Sequence, residues 1–234
     1  MIILGYHDLD PSQRNAWTLH PDRFEGHLGF LKDRGYEFVS MTTGLLRCQQ
    51  AVAAIHIKKL VVLSFDDQRA GAWDFGLPIL VKFKAPAIFY VCPGLWLPEI
   101  PKNERYSKFM PQSQVRQLAV RGHEIGSHAM RHASMLRQST SDLKRQVYFS
   151  MVDLYKATGR WPAHFAPPYG DTDNDIRYEV ENAGYESLVT TELGTVRRFY
   201  DPHCLPRYQV RSDDSDEVFR ATIERLEEMD GQDT

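Results

Sequence analysis

Apolar residues along the chain fall into two rhythms. Residues 2–6, 59–65 and 87–91 are short, nearly unbroken apolar runs, the mark of strands covered on both faces in a parallel α/β sheet. Between them, apolar residues recur three and four apart. Phe24, Leu28 and Leu31 predict a helix over residues 21–34 that stops at Gly35. Leu143, Val147, Met151, Leu154 and Tyr155 predict one apolar face of a long helix over residues 141–158, ended by Gly159. The same logic predicts strands over residues 36–40, 124–127, 163–166 and 187–190, with a last one beginning at Gln209-Val210. Further helices are predicted over residues 42–54, 73–83, 113–121, 175–183 and 218–229. The pattern is lost over residues 93–111, where prolines and charges predict a surface loop bordering a substrate site.

Strands alternate with helices throughout, with no linker and no repeat, so the expectation is a single α/β domain over residues 1–229 with a flexible tail at 230–234. Polar residues close several different strands (His7, Asp66, His128, Tyr169), and no Gly-x-Gly-x-x-Gly follows the first one. That favours a (β/α) barrel over an open doubly wound sheet.

Composition narrows the function classes. At 42% hydrophobic and 25% charged residues, the chain of 234 is ordinary globular protein, and a net charge of −3 predicts neither a nucleic-acid nor an anionic-membrane partner. Three widely spaced cysteines form no C-x-x-C and predict no disulfide framework. The first residues carry no basic stretch and too few apolar residues for a signal peptide, and no run reaches the roughly 20 residues of a membrane span. A cytoplasmic location is the expectation if Met1 is the native start.

The chemistry concentrates where the run 59–65 ends in Asp66-Asp67. Successive strand residues point to opposite faces, so both carboxylates reach one cavity only if the strand stops and the backbone turns there. One could then hold a cation while the other acts as a base. Capping of the following helix is the alternative. His128 and His132 stand four apart, a spacing that on a helical turn puts both imidazoles on one face, though such pairs also arise by chance. Asp67, His128 and His132 would offer one oxygen and two nitrogens to a divalent metal with positions left open, the donor count of catalytic zinc.

Three blocks, in order, resemble the carbohydrate esterase family 4 polysaccharide deacetylases, the NodB-homology family. Ser64-Phe65-Asp66-Asp67 is similar to its first motif, T-F-D-D-G. Gly122-His123-Glu124-Ile125-Gly126-Ser127-His128 with His132 is similar to the second, and Phe165-Ala166-Pro167-Pro168-Tyr169-Gly170 to the third, R-P-P-Y-G. The resemblance implies a deformed (β/α) barrel and a metal-dependent hydrolase of an N-acetyl group on a sugar or glycan, carrying zinc or else cobalt or nickel. It implies Asp66 as general base, Asp67, His128 and His132 as metal ligands, and the Tyr169 backbone N–H as oxyanion donor. Gly5-Tyr6-His7-Asp8 resembles the start of members that take their acid from an amino-terminal histidine, which would make His7 the acid, with His203 as the fallback and a buried structural histidine as the alternative.

The departures are specific. Gln68 replaces the first motif's glycine, Ala129 the usual Ser or Thr, and Ala166 the arginine that supports the base. The fourth motif is not recognisable, and the fifth, L-x-H, survives only as Leu205-Pro206-Arg207. Arg207 is therefore expected either to direct its guanidinium at Asp66 from the opposite wall or to be a surface arginine. A family amidohydrolase acting on a non-sugar amide and a non-catalytic glycan-binding barrel are the competing functions.

Overall fold

The computed structural model describes residues 1–50, 59–96 and 108–231. Its centre is an eight-stranded sheet in which every pairing is parallel. The strands are β1 (Ile2–Tyr6), β4 (Glu37–Phe38), β5 (Leu60–Phe65), β6 (Ala87–Val91), β7 (Glu124–Ser127), β8 (His164–Phe165), β9 (Ser187–Leu188) and β10 (Tyr208–Gln209). Their order is β10-β1-β5-β6-β7-β8-β9, with β4 paired to the first residues of β5. The two ends approach through a single bridge, Val189 to Leu205, with Thr190 N donating to Leu205 O at 2.8 Å and Leu205 N to Leu188 O at 2.9 Å. One bridge in place of a ladder is what deforms the barrel. A separate two-stranded pairing joins β2 (Asp8–Leu9) to β3 (Thr18–Leu19) in the connection between β1 and the first helix.

Around the sheet lie α1 (Pro21–Asp33), α2 (Met41–Gln50), α3 (Leu77–Phe83), α4 (Gln112–Val120), α5 (Thr140–Lys144), α6 (Ser150–Thr158), α7 (Asn174–Asn182) and α8 (Asp216–Gly231). The predicted helix over 141–158 runs continuously from α5 to α6, but the turn Arg145–Phe149 widens to i→i+5 bonding. That wider turn rotates the face, so Leu143, Val147, Met151 and Leu154 are buried while Tyr155, predicted with them, is 40% exposed. A second wide turn, Ala72–Gly76, leads into α3 just ahead of Pro78, whose missing N–H could not continue a regular helix. The end of the predicted helix at 51–54, most of the predicted loop (97–107) and tail residues 232–234 lie outside the described residues. The last helix continues through Gly231, two residues past the expected domain end.

Alternation along the strands creates two cores. Met1, Ile3, Leu60, Val62, Ile88, Tyr90, Ala166, Val189 and Leu205 face the barrel interior, which Met41, Leu45 and Cys48 of α2 close at the amino-terminal end. Ile2, Leu4, Tyr6, Val61, Leu63 and Phe65 face outward onto Phe24, Leu28 and Leu31 of α1 and Phe219, Ile223 and Leu226 of α8. Each such large side chain removed from water contributes roughly 1.5–3 kcal/mol, which is why α1 holds although its outer face is polar. A third cluster joins α5 and α6 to α7 and β9 through Leu143, Val147, Ile176, Val180 and Leu188. No helix among the described residues is long and apolar enough to cross a membrane.

Candidate active site

Continuing the interior parity past the strand ends gives the site. Met1, Ile3 and Gly5 lead to His7; Leu60, Val62 and Ser64 to Asp66; Gly126 to His128; and Leu205 to Arg207. Four functional side chains thus reach one space from β1, β5, β7 and the approach to β10. Asp67 belongs to the opposite parity and is recruited by the backbone, which turns at φ 66 there and φ 45 at Gln68. Positive φ at non-glycine residues costs of order 1–3 kcal/mol each, and this turn is the one that both carboxylates require. Gln68, where the family motif has glycine, is buried and tied down: its Oε1 accepts from Cys92 N at 2.9 Å and its Nε2 lies 3.5 Å from Met110 O.

Asp67, His128 and His132 offer ligand atoms that all lie within 4.8 Å of one another. His128 Nδ1–H donates to Ala166 O at 2.5 Å, which directs its Nε2 at Asp67 Oδ1, 3.3 Å away. His132 Nε2 stands 2.9 Å from the same oxygen. That Oδ1 is buried and, among the described residues, has no hydrogen-bond partner of good geometry. Burial acts to raise the Asp67 pKa, but the two imidazoles outweigh it and hold the carboxyl well below its usual range. An ionised oxygen and two nitrogens converging on one point fit a divalent cation of the zinc type. No helical turn is needed to bring the two histidines together. They sit in a bend after β7 in which Ala129 takes φ 61, and the fold of that loop brings the ring centroids to 5.1 Å.

Asp66 is the other carboxylate, and Arg207 grips it. Arg207 Nη1 donates to Oδ1 at 2.7 Å and Nη2 to Oδ2 at 2.9 Å, with the arginine 1% and Asp66 3% exposed. Burial pushes the Asp66 pKa up, and Arg207, His128 and His7 together bring it below the ordinary value, so the group is a carboxylate. Ala166, where the family has arginine, contributes only its carbonyl to His128. The positive partner comes instead from the far wall.

His7 lies within electrostatic reach of Asp66, Asp67, Arg207 and His128, and its ring packs against Trp17 with centroids 4.6 Å apart. Its Nδ1 is buried with no hydrogen-bond partner among the described residues, and burial lowers its pKa against the pull of the two aspartates. Tyr169 follows Pro167-Pro168 in a turn at φ 63 whose closing bonds come from Gly170 N and Asp171 N, so neither consumes the Tyr169 amide. Its ring meets His132 edge-on at 4.7 Å. His203, the fallback acid, is elsewhere: its Nε2 bonds Tyr185 O at 3.0 Å, ahead of β9 and therefore at the amino-terminal end of the sheet. Cys92 also borders the site; burial pushes its thiol well above the usual value and its Sγ donates to His128 O at 2.8 Å, the setting of an unactivated thiol.

Sequence reasoning missed Ser64 and Gln209, both in contact with Arg207. The available signal was parity, since they stand two residues before Asp66 and two after Arg207.

The polysaccharide deacetylase family model matches residues 54–188. His7 and Arg207 lie outside that segment. Bacillus subtilis YxkH is 24% identical over 224 residues, 96% of this chain and 76% of that protein. The peptidoglycan-N-acetylglucosamine deacetylase PgdA of Listeria monocytogenes is 25% identical over 135 residues, 57% of this chain but only 26% of PgdA. In three dimensions, the Streptococcus pyogenes deacetylase PplD in complex with acetate superimposes with a TM-score of 0.82 at 23% identity, covering 95% of this chain and 97% of that one. The match over more than half the chain, with the barrel and the three motif blocks in place, makes this chain a member of the polysaccharide deacetylase family.

Proposed function

We propose that this protein is a metal-dependent N-deacetylase that hydrolyses the acetamido group of an N-acetylated sugar or glycan to acetate and a free amine. The observation that carries the proposal is a pair of adjacent carboxylates with separate partners: Asp67 facing two imidazoles, Asp66 held by a guanidinium. Asp67, His128 and His132 would hold the ion, with zinc the first expectation and cobalt or nickel compatible. When bound there, a divalent ion supplies Lewis acidity toward the amide carbonyl and a water of lowered pKa.

The remaining chemistry falls to the chain. Asp66, kept ionised by Arg207, takes the proton of the attacking water. The Tyr169 N–H donates to the oxygen that gains charge as the carbonyl carbon becomes tetrahedral. His7 delivers a proton to the nitrogen as the C–N bond breaks, so that the amine leaves neutral and acetate remains. A groove of about 490 Å³ lined by Met130, Arg131, Gln138, Asp142, Arg145, Gln146 and Phe149 includes two residues of the loop that carries His128 and His132. An aromatic face beside amide and guanidinium donors suits a sugar chain better than a small amide. PgdA, by its name a deacetylase of N-acetylglucosamine in peptidoglycan, supports the same substrate class.

The test is amine release by the zinc-loaded protein from chito-oligomers, N-acetylated monosaccharides and cyclic amides. Release from the oligomers is expected. Release confined to cyclic amides would move the function to a non-sugar amidohydrolase, and no release with zinc, cobalt or nickel would leave a glycan-binding barrel.

A further inference from the structure

The arginine that grips Asp66 is itself held by a dedicated set of acceptors. Arg207 Nε donates to Thr190 O at 3.2 Å, and Nη1, besides its bond to Asp66, lies 3.3 Å from Ser64 Oγ. Ser64 spends its own proton on Leu4 O at 2.9 Å, so its oxygen presents a lone pair to the guanidinium. The Gln209 carboxamide lies against the same group. Only the orientation with its oxygen inward sets acceptor against donor, and that oxygen is then 2.7 Å from Nη2 and 3.1 Å from Nε. With Gln209 counted, all five N–H donors of a guanidinium that is 1% exposed have acceptors. Without it, the second Nη2 proton has none among the described residues. Tyr90 closes the remaining side, its ring centroid 5.7 Å from the guanidinium carbon.

Gln209 can occupy this place because its register partner on β1 is Gly5. A Cβ on Gly5 would come within 2.5 Å of the Gln209 carboxamide, which would have to shift from its place against the guanidinium. Here the glycine serves as space for a neighbouring side chain, at a position otherwise suited to any strand residue.

We propose that Gln209, seated over Gly5, is a positioning residue for catalysis: it fixes the Arg207 fork so that both prongs meet Asp66, and so supports from the opposite wall the base that Ala166 cannot support. The proposal rests on the assignment of Asp66 as base in the deacetylase reading for its effect on turnover, and on geometry alone for its effect on Arg207.

The experiment therefore has two readouts. In metal-free protein, the Arg207 Nε–H resonance is followed by NMR for hydrogen exchange. In Gln209→Leu it is expected to exchange at least tenfold faster than in the wild type, and in Gln209→Glu, which keeps an acceptor oxygen, to stay protected. In zinc-loaded protein with chitopentaose, Gln209→Leu and Gly5→Ala are each expected to lower kcat about tenfold, the scale of one hydrogen bond to a charged group, with KM and zinc stoichiometry unchanged. Gly5→Ala combined with Gln209→Leu is expected to be no slower than the worse single variant, because both remove the same contact. Unchanged exchange in Gln209→Leu overturns the proposal, whether or not chitopentaose is a substrate and whether or not Gly5→Ala folds. Multiplying effects of the two substitutions would overturn the link through Gly5, and faster exchange with unchanged kcat would overturn the role in catalysis.

Discussion

Asp66 and Asp67 are neighbours in the chain with opposite tasks, and what separates them is a single turn of backbone. Asp66 follows strand parity into the interior and meets Arg207, whereas positive φ at Asp67 swings the next carboxylate onto the two histidines. Among the described residues, four of the seven non-glycine positions with positive φ are Asp67, Gln68, Ala129 and Tyr169, all at strand ends around the site. Strain stored there persists because surrounding packing over-determines it. Substitutions should therefore separate the two carboxylates. Asp66→Asn is expected to keep full zinc content by elemental analysis while kcat falls 10²–10⁴-fold, the scale of a general base. Asp67→Asn and His132→Ala are expected to lose the zinc. Arg207→Ala leaves a buried, unpaired carboxylate, so a destabilisation of about 3–5 kcal/mol in denaturant titration is expected along with lost turnover. Arg207→Lys, with a charge but no fork, is expected to recover only part of each.

At the scale of elements, the contact of α1 with α8 carries a titratable group away from the site. His27 on α1 is 3% exposed, stacked on Phe219 of α8 at 3.7 Å and 4° between planes. Its Nδ1 lies 3.4 Å from Tyr6 Oη and its Nε2 3.6 Å from Asp216 Oδ1. Burial lowers its pKa to about 4; Asp216 pulls it up, and Arg23 and Arg220 push it down. The unfolded chain, with an ordinary histidine near 6.5, takes up the proton first as pH falls. Stability is thus fully present above about pH 6.5 and declines toward pH 4, by about 3 kcal/mol in total for this group. His27→Phe keeps the stack and removes the titration. Urea midpoints between pH 7 and 4.5 are expected to fall less in that variant than in the wild type; equal slopes would count against a buried neutral His27. Against its burial, Arg34 and Lys59 hold Glu227 to about 2, so its contribution begins to fall as pH approaches the ordinary glutamate value near 4.5, and it does so equally in both proteins and leaves their difference to His27.

For the whole molecule, the site is a junction of distant segments. β1 lies between β5 and β10, so residues near both chain ends complete a centre whose other parts are in the middle. An ion held by Asp67, His128 and His132, as proposed, would tie β5 to the loop after β7 and bind only the folded state. Zinc at roughly 100 times its dissociation constant is expected to stabilise by about 2.7 kcal/mol, which for a chain of this size means a melting temperature higher by roughly 5–10 °C. Thermal unfolding with and without a chelator measures it, and His132→Ala is expected to erase the difference.

The sequence by itself determined the alternation of strands and helices, the ends of β1, β6 and β7 to the residue, and which three side chains, Asp67, His128 and His132, the fold gathers into one cluster. Those features are local: apolar runs, glycine stops and short motifs need only neighbouring residues to be expressed. The partner of Asp66 was legible only as an open choice, because an arginine 141 positions away reads the same whether it faces water or a carboxylate. Tertiary structure decided that choice, by closing the barrel at Val189 and Leu205 so that β10 delivers Arg207 inward. It also decided the bend that brings His128 and His132 together and put His203 at the other end of the sheet, since a loop's path and a side chain's end of the sheet depend on what packs around them. Parity with Arg207 could place Gln209 on the interior face, but not its role, which lies in the cross-strand space left by Gly5, a property of the pair in register and of neither residue alone.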